Sequence, residues 1–527
     1  MRAIHVKKQL GRLRQGAAFA LASLLAVTAR AAVPGITGAS FDLVATPAYL
    51  SQPDGATVYS WGYGCAATAA PAFAPTSVGG GTCGTMQVPG PTLIVQAPST
   101  GTTTVTVRLT NGLPAKAGNT SILFPGFSVA TSGGVAGLLT QEAAPGASVT
   151  YALTIPATAA GTHAYYSGTQ GDLQVEMGLY GALIVLPNVS SVTTASCSAA
   201  DTRNLAAEKA GGEVDYRLAK AAYDHPASCY DREYLFQFSE MDPKVHRAAE
   251  EIATCSGVGC PASMSGVATE PFHPGYYMIN GRSMPDDMDP AYAVQYPHQP
   301  YNGNPHMHPG ELVLLRIIGQ GRWQHPFHEH GNHVRLLARD GNLLLSKGDA
   351  TKLAGPLLFT TTTTPGQTMD GIFYWTGKGL NWDVYGHGYA GDASVCTPDA
   401  SGYYTADPTA PNYYEWCADH NKALESKPFG QVAGGGPMTL PDPNILTNGP
   451  WYSGTPYLGP DALVRAIGAT PIPPSGTIAN SPTGEAGFAY MWHSHNEREI
   501  TTGNIFPGGM LMMMLVDPRA FPIDESK

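Results

Sequence analysis

The chain of 527 residues is 43% hydrophobic but only 13% charged, and it contains 62 Gly and 44 Pro. That length exceeds what one core can organise, so two or three domains are predicted, and the many turn residues beside Thr and Val predict an all-β fold. A formal net charge of -11 argues for no nucleic-acid partner, because such binding needs a basic footprint.

The N-terminus reads as a targeting segment. Arg2, Lys7, Lys8, Arg12 and Arg14 form a basic region, Ala17 to Val27 is apolar, and Ala29-Arg30-Ala31 offers small residues for cleavage. This predicts a signal peptide over residues 1–31 and a secreted or periplasmic mature chain. The apolar run is too short to span a bilayer and no later stretch is long and apolar enough, so no transmembrane anchor is expected. Export makes the eight cysteines legible as disulfides. Proximity suggests Cys65–Cys83, Cys197–Cys229, Cys255–Cys260 and Cys396–Cys417, with other pairings left open because spacing does not fix connectivity.

Residues 32–189 read as a first β-domain. Thr92–Gln96, Thr102–Thr110, Tyr151–Ile155 and Gly181–Leu186 are strands by composition and alternation, separated by turns such as Pro89-Gly90-Pro91 and Pro145-Gly146. Short strands at this spacing suggest a sandwich. Residues 190–231 are polar and Ala-rich, a linker with some helical character. A second β-domain over 232–527 includes Glu233–Phe238, Glu311–Ile318, His333–Arg339 and a methionine-rich strand from Met510 to Val516. Alternation in a buried strand accounts for those methionines, since Met is a pliable core filler. At about 377–486 lies a long insertion rich in Gly, Pro, Tyr and Asn, expected to be ordered and pinned by Cys396–Cys417.

Two short histidine clusters stand out in the second half: His325-Pro326-Phe327-His328-Glu329-His330-Gly331 and Trp492-His493-Ser494-His495. Alternate residues of a strand share a face, so each H-x-H pair aims two imidazoles in one direction. Imidazole is the commonest metal ligand and suits copper and zinc. The bland alternative is a set of hydrogen-bonded polar residues at a domain interface. Glu329 and Glu497 are available to tune or join a metal shell. His306-Met307-His308, in a Tyr/Pro/Asn-rich loop, is a weaker candidate for a surface metal.

Several stretches together resemble the multicopper oxidase family, built from cupredoxin-like Greek-key β-sandwiches. In the first domain these are Val88-Pro-Gly-Pro-Thr-Leu, Pro145-Gly-Ala-Ser-Val-Thr-Tyr, Gly161-Thr-His-Ala-Tyr-Tyr-Ser-Gly and Gly178-Leu-Tyr-Gly-Ala-Leu-Ile-Val. In the second, Tyr277-Met-Ile-Asn-Gly-Arg-Ser, Pro309-Gly-Glu-Leu-Val-Leu-Leu-Arg-Ile-Ile and the His325 motif follow in the family's order. The resemblance implies two cupredoxin-like domains, the second with a long loop insertion, and copper as cofactor.

The resemblance also exposes what is missing. Where the family has H-W-H-G this chain has Leu123-Phe124-Pro125-Gly126, and where it has H-S-H this chain has Tyr166-Ser167-Gly168. His325 matches a blue-copper ligand; His328, His330, His493 and His495 match cluster ligands that face the interdomain cleft in the family. Ser494 replaces the central cysteine, and Glu499 takes the place of the next blue-copper histidine. Asn504 stands at the axial methionine position, which Met510 reaches only with an insertion. A blue-copper site is His₂Cys with a weak axial ligand, so single-electron oxidation through such a site is not expected, and four-electron reduction of dioxygen is doubtful.

Three readings follow. One is a copper-dependent oxidoreductase with a reduced metal set at His328, His330, His493 and His495, acting on a small-molecule or metal-ion substrate, with His325 counted in the metal site as a neighbour that can orient a substrate or serve as a base. Another is a non-catalytic metal-binding or interaction scaffold. The third is hydrolysis at a zinc-bound water, which needs a general base such as Glu329 or Glu497. The resemblance further implies a homo-oligomer, since two-domain relatives form trimers.

Overall fold

A computed structural model describes residues 33–66, 71–76, 82–188, 212–378, 397–407, 454–458 and 486–517, with isolated positions around them. The expected signal peptide, much of the 190–231 linker and most of the 377–486 insertion lie outside the described residues.

Period-two burial builds the strands. In Ser148–Pro156 the side chains of Val149, Tyr151, Leu153 and Ile155 turn inward and their neighbours outward. This strand pairs with Thr102–Asn111 and Ser128–Gly133 in one five-stranded sheet. A second five-stranded sheet orders Gly161–Tyr166, Tyr180–Leu186, Leu93–Gln96, Gly35–Thr37 and Ala72–Ala74. The two sheets enclose one apolar core, with Trp61, Val107 and Leu153 from the first meeting Leu93, Tyr165 and Leu183 from the second.

The second pair comprises a seven-stranded sheet built on Arg232–Met241, Leu312–Gly319 and Thr368–Tyr374, and a six-stranded sheet built on Leu511–Val516, Ala486–Ser494 and His325–Glu329. Phe236, Leu315 and Phe373 of the former meet Phe327, Trp492 and Met512 of the latter. Met510, Met512 and Met514 all point into this core, as alternation required.

Leu312–Gly319 and Arg232–Met241 are buried almost throughout. Both faces of their sheet are covered, so alternation disappears from the sequence. Val313, Leu315 and Ile317 face the second core, while Ile318 and Leu235 pack on Ile94, Ala164, Ala182 and Ile184 of the first pair. The four sheets therefore stack as successive layers, with the six-stranded sheet last among the described sheets.

Buried polar contacts fix this stacking. Thr162 donates through its backbone N–H and hydroxyl to the Asp370 carboxylate, Arg316 pairs with Glu233 and reaches Thr162, and Gln320 donates to the Gly181 carbonyl. The amphipathic helix Pro243–Thr254 starts at Asp242, whose carboxylate caps Lys244 N–H, with Pro in its first turn. Although it follows the first strand of the second pair, its Val245, Ala249 and Ile252 fill the first core.

Cys65–Cys83, Cys197–Cys229 and Cys255–Cys260 are disulfides. Cys396 and Cys417 fall outside the described residues. In the described part of the linker the regular helical element is one 3-10 turn, Pro226–Ser228. Among the described residues no helix is long and apolar enough to cross a membrane.

Candidate metal centre

The two H-x-H stretches become neighbouring antiparallel strands, with His328 opposite His493 and Phe327 opposite Ser494. The pleat divides their side chains into two sets. Phe327 and Trp492 enter the core; His328, His330, His493 and His495 share the other face and come together there. Ring centroids lie 4.7 Å apart for His328–His330, 4.9 Å for His328–His495 and 5.1 Å for His330–His493. His328, His330 and His493 are buried, and His495 is exposed. This face is the one turned away from the core of the second sheet pair.

Hydrogen bonds orient the rings. The Nδ1 of His493 lies 2.7 Å from the Ser494 carbonyl, which only accepts, so Nδ1 carries the proton and Nε2 keeps a lone pair. His493 Nε2 lies 3.3 Å from His330 Nε2. Two nitrogens bound to one tetrahedral ion at roughly 2.0–2.1 Å would lie about that far apart. His328 Nδ1 is held by the Thr360 hydroxyl at 2.8 Å, and its buried Nε2 has no hydrogen-bond partner among the described residues. Tying one ring nitrogen to an oxygen while the other stays available is how metal-binding histidines are commonly oriented.

Burial, with the neighbouring His495 and His493 adding to it, lowers the His328 pKa to about 4, and burial also lowers that of His493. Both are therefore neutral near pH 7, as a ligand must be. The donor set is all imidazole and suits copper or zinc. The four rings form a cluster rather than a finished coordination shell: among the described residues, no three His, Cys, Asp or Glu side chains stand ready around a common point.

His325 lies on the core face, apart from the other four. Its Nδ1 is 2.9 Å from Glu499 Oε2 and its Nε2 is 2.9 Å from Glu240 Oε2. Burial opposes charge on this ring, but the hydrogen bonds and charges of Glu240 and Glu499 prevail and raise its pKa to about 9. Ser494, at the position of the absent cysteine, donates its hydroxyl to Glu499, as does the Asn496 amide. Glu240 also accepts from the N–H groups of Arg322 and Trp323. The blue-copper position thus holds a carboxylate–imidazole–carboxylate clamp across the two sheets of the second pair. With no thiolate and both His325 nitrogens engaged, it does not fit a blue copper.

Glu240 was not foreshadowed by any motif. Its only signal is an acid near the end of a strand that also carries Arg232, Glu233, Gln237 and Ser239, so nothing in the sequence sets it apart. Glu329 accepts from Thr361, the neighbour of the Thr360 that holds His328, so it lies across the sheet from the histidine cluster. Burial raises its pKa to about 8. Glu497 is exposed. His306 and His308 are not a surface metal site: His306 bonds the Asp517 carboxylate, and His308 is fully buried between the Asp517 carbonyl and Glu213.

Stacked sandwich sheets, with the two H-x-H stretches paired as neighbouring strands, define an all-β protein with an imidazole cluster on one sheet face. Residues 82–190 match the family model described as multicopper oxidase. The family likeness thus rests on that stretch of the first sheet pair. No curated protein matches the sequence. Among solved structures, the multicopper oxidase mgLAC is 16% identical with a TM-score of 0.42, covering 92% of this chain and 87% of its own. Blue copper oxidase from Nitrosomonas europaea is 14% identical with a TM-score of 0.40, covering 90% and 85%. Fet3p, a multicopper oxidase that functions in iron import, is 17% identical with a TM-score of 0.38, covering 64% and 46%.

Proposed function

We propose that this is an exported copper-binding protein of multicopper oxidase type that holds its metal through His328, His330, His493 and His495 and works without a blue-copper relay. The observation that carries this reading is the convergence of four imidazoles on one sheet face, with the Nε2 atoms of His330 and His493 3.3 Å apart and that of His328 unpartnered. Copper bound there would supply one-electron redox chemistry at an all-imidazole site. Thr360 and the Ser494 carbonyl would hold the rings in place, and exposed His495 would stand at the solvent edge, where a small molecule or metal ion can approach. Export is supported by the basic-then-apolar N-terminal segment and by the three disulfides.

A second reading, a non-catalytic metal-binding or interaction scaffold, is favoured by the clamp at His325, which leaves no thiolate path for electrons. Zinc hydrolysis is less well supported, because Glu329 lies on the opposite face of its strand.

The test is elemental analysis with electron paramagnetic resonance on copper-loaded protein, wild type and His328→Ala/His493→Ala. About one copper per chain, lost in the double variant, is expected from an imidazole set of this size. Absence of stoichiometric metal would sink the copper reading. Copper retention without oxygen consumption would select the scaffold, and preferential zinc retention would select zinc chemistry.

A further inference from the structure

Three of the positions that the family resemblance reserves for first-domain histidines, Leu123, Tyr166 and Gly168, have become a cavity wall. Leu123 and Tyr166 pair through their backbones, Leu123 N–H donating to the Tyr166 carbonyl at 2.7 Å and Tyr166 N–H donating to the Leu123 carbonyl at 3.3 Å. With Ser167 and Gly168 they line a cavity of about 340 Å³ between the first sheet pair and two turns of the second, at Gln320-Gly321 and Pro365-Gly366. None of the four clustered histidines lines it, so it is a separate feature from the candidate metal centre.

We propose that this cavity is a binding site for a small neutral molecule with an apolar ring system and one hydroxyl-like group. Size, walls and polar groups argue for this together. A cavity of about 150 Å³ accommodates benzene, so this one has room for one or two rings. Leu123, Leu139, Val175, Pro365 and the Tyr166 ring give it apolar walls, and no residue lining it carries a charge at neutral pH. Burial raises the Tyr166 phenol above its ordinary value, keeping it neutral.

Two polar atoms are available. The Tyr166 hydroxyl has no hydrogen-bond partner among the described residues. Gln320 spends its amide N–H groups on Gly181 and Gln237, which leaves its carbonyl oxygen as an acceptor. One hydroxyl on the ligand can accept from Tyr166 and donate to Gln320, the usual pattern of an apolar pocket with few orienting polar groups. Leu139 at the rim is 64% exposed, an apolar lip at the entrance. Histidines at 123 and 166 would make this wall polar; Leu123 and Tyr166 make it apolar and leave one hydroxyl.

Equilibrium dialysis of the full chain against 2-naphthalenemethanol and naphthalene tests the proposal without involving copper. Saturable binding of one alcohol molecule per chain is expected, with naphthalene about three- to tenfold weaker, the worth of a net hydrogen bond. Tyr166→Phe should weaken the alcohol by a similar factor and leave naphthalene unchanged. Gly171 lines the cavity and a Cβ there meets no atom within 4 Å, so Gly171→Phe can fill the space while the chain folds. It should weaken both ligands at least tenfold. Lack of saturable binding to wild type, or unchanged binding in Gly171→Phe, would overturn the proposal.

Discussion

The two faces of the strand pair His325–Glu329 and Ala486–Ser494 carry different chemistry from the same few residues. On the core face, His325 is clamped between Glu240 and Glu499 with both ring nitrogens occupied. On the outer face, His328 and His493 each have one nitrogen tied to an oxygen and Nε2 turned toward other imidazoles or left unpartnered. Imidazoles of the same sequence motifs are thus a structural cation on one side and candidate ligands on the other. A histidine motif alone does not reveal this division; the carboxylates across the sandwich decide it.

The largest expected effect separates the faces directly. His325→Ala leaves two carboxylates buried without their cation, which should cost about 3–5 kcal/mol, visible in denaturant unfolding. Bound copper per remaining folded chain should not change. His328→Ala/His493→Ala should do the reverse, with the metal lost and the metal-free protein destabilised less than by His325→Ala, because these two buried rings are neutral and leave no carboxylate without its cation. Loss of metal in the His325 variant at full stability would collapse the distinction.

A smaller effect comes from pH. His325 has its folded pKa raised from 6.5 to about 9. Its contribution is therefore complete below about pH 6.5 and is lost as pH rises through about 9, because the folded state holds the proton more tightly than the unfolded one. Thermal unfolding of wild type should show a falling midpoint across that window. His325→Gln, destabilised throughout, should show a flatter profile. An equally steep decline in the variant would assign the pH dependence elsewhere.

The smallest effect is expected at Glu329. Burial holds its pKa at about 8, so it is mostly protonated at pH 7. Replacement by an isosteric neutral amide in Glu329→Gln should change stability by less than about 1 kcal/mol and leave copper content unchanged. A large loss of metal or of any hydrolytic activity in this variant would restore Glu329 as a functional base.

Sequence alone determined the all-β character and most strand positions, because period-two alternation in segments such as Ser148–Pro156 records which face meets a core. It also made the three described disulfides readable, through an even cysteine count and short separations. The pairing of the two H-x-H motifs on one face was implicit in their spacing once both were strands. Tertiary structure alone decided the rest. Strand pairing put the histidine cluster on the face turned away from the second core, and the packing of the layers placed helix Pro243–Thr254 in the first core. Glu240, 85 residues from His325, decided that His325 is a clamped cation. Contacts between residues so distant along the chain leave no periodic trace, because each partner's spacing reflects only its own strand.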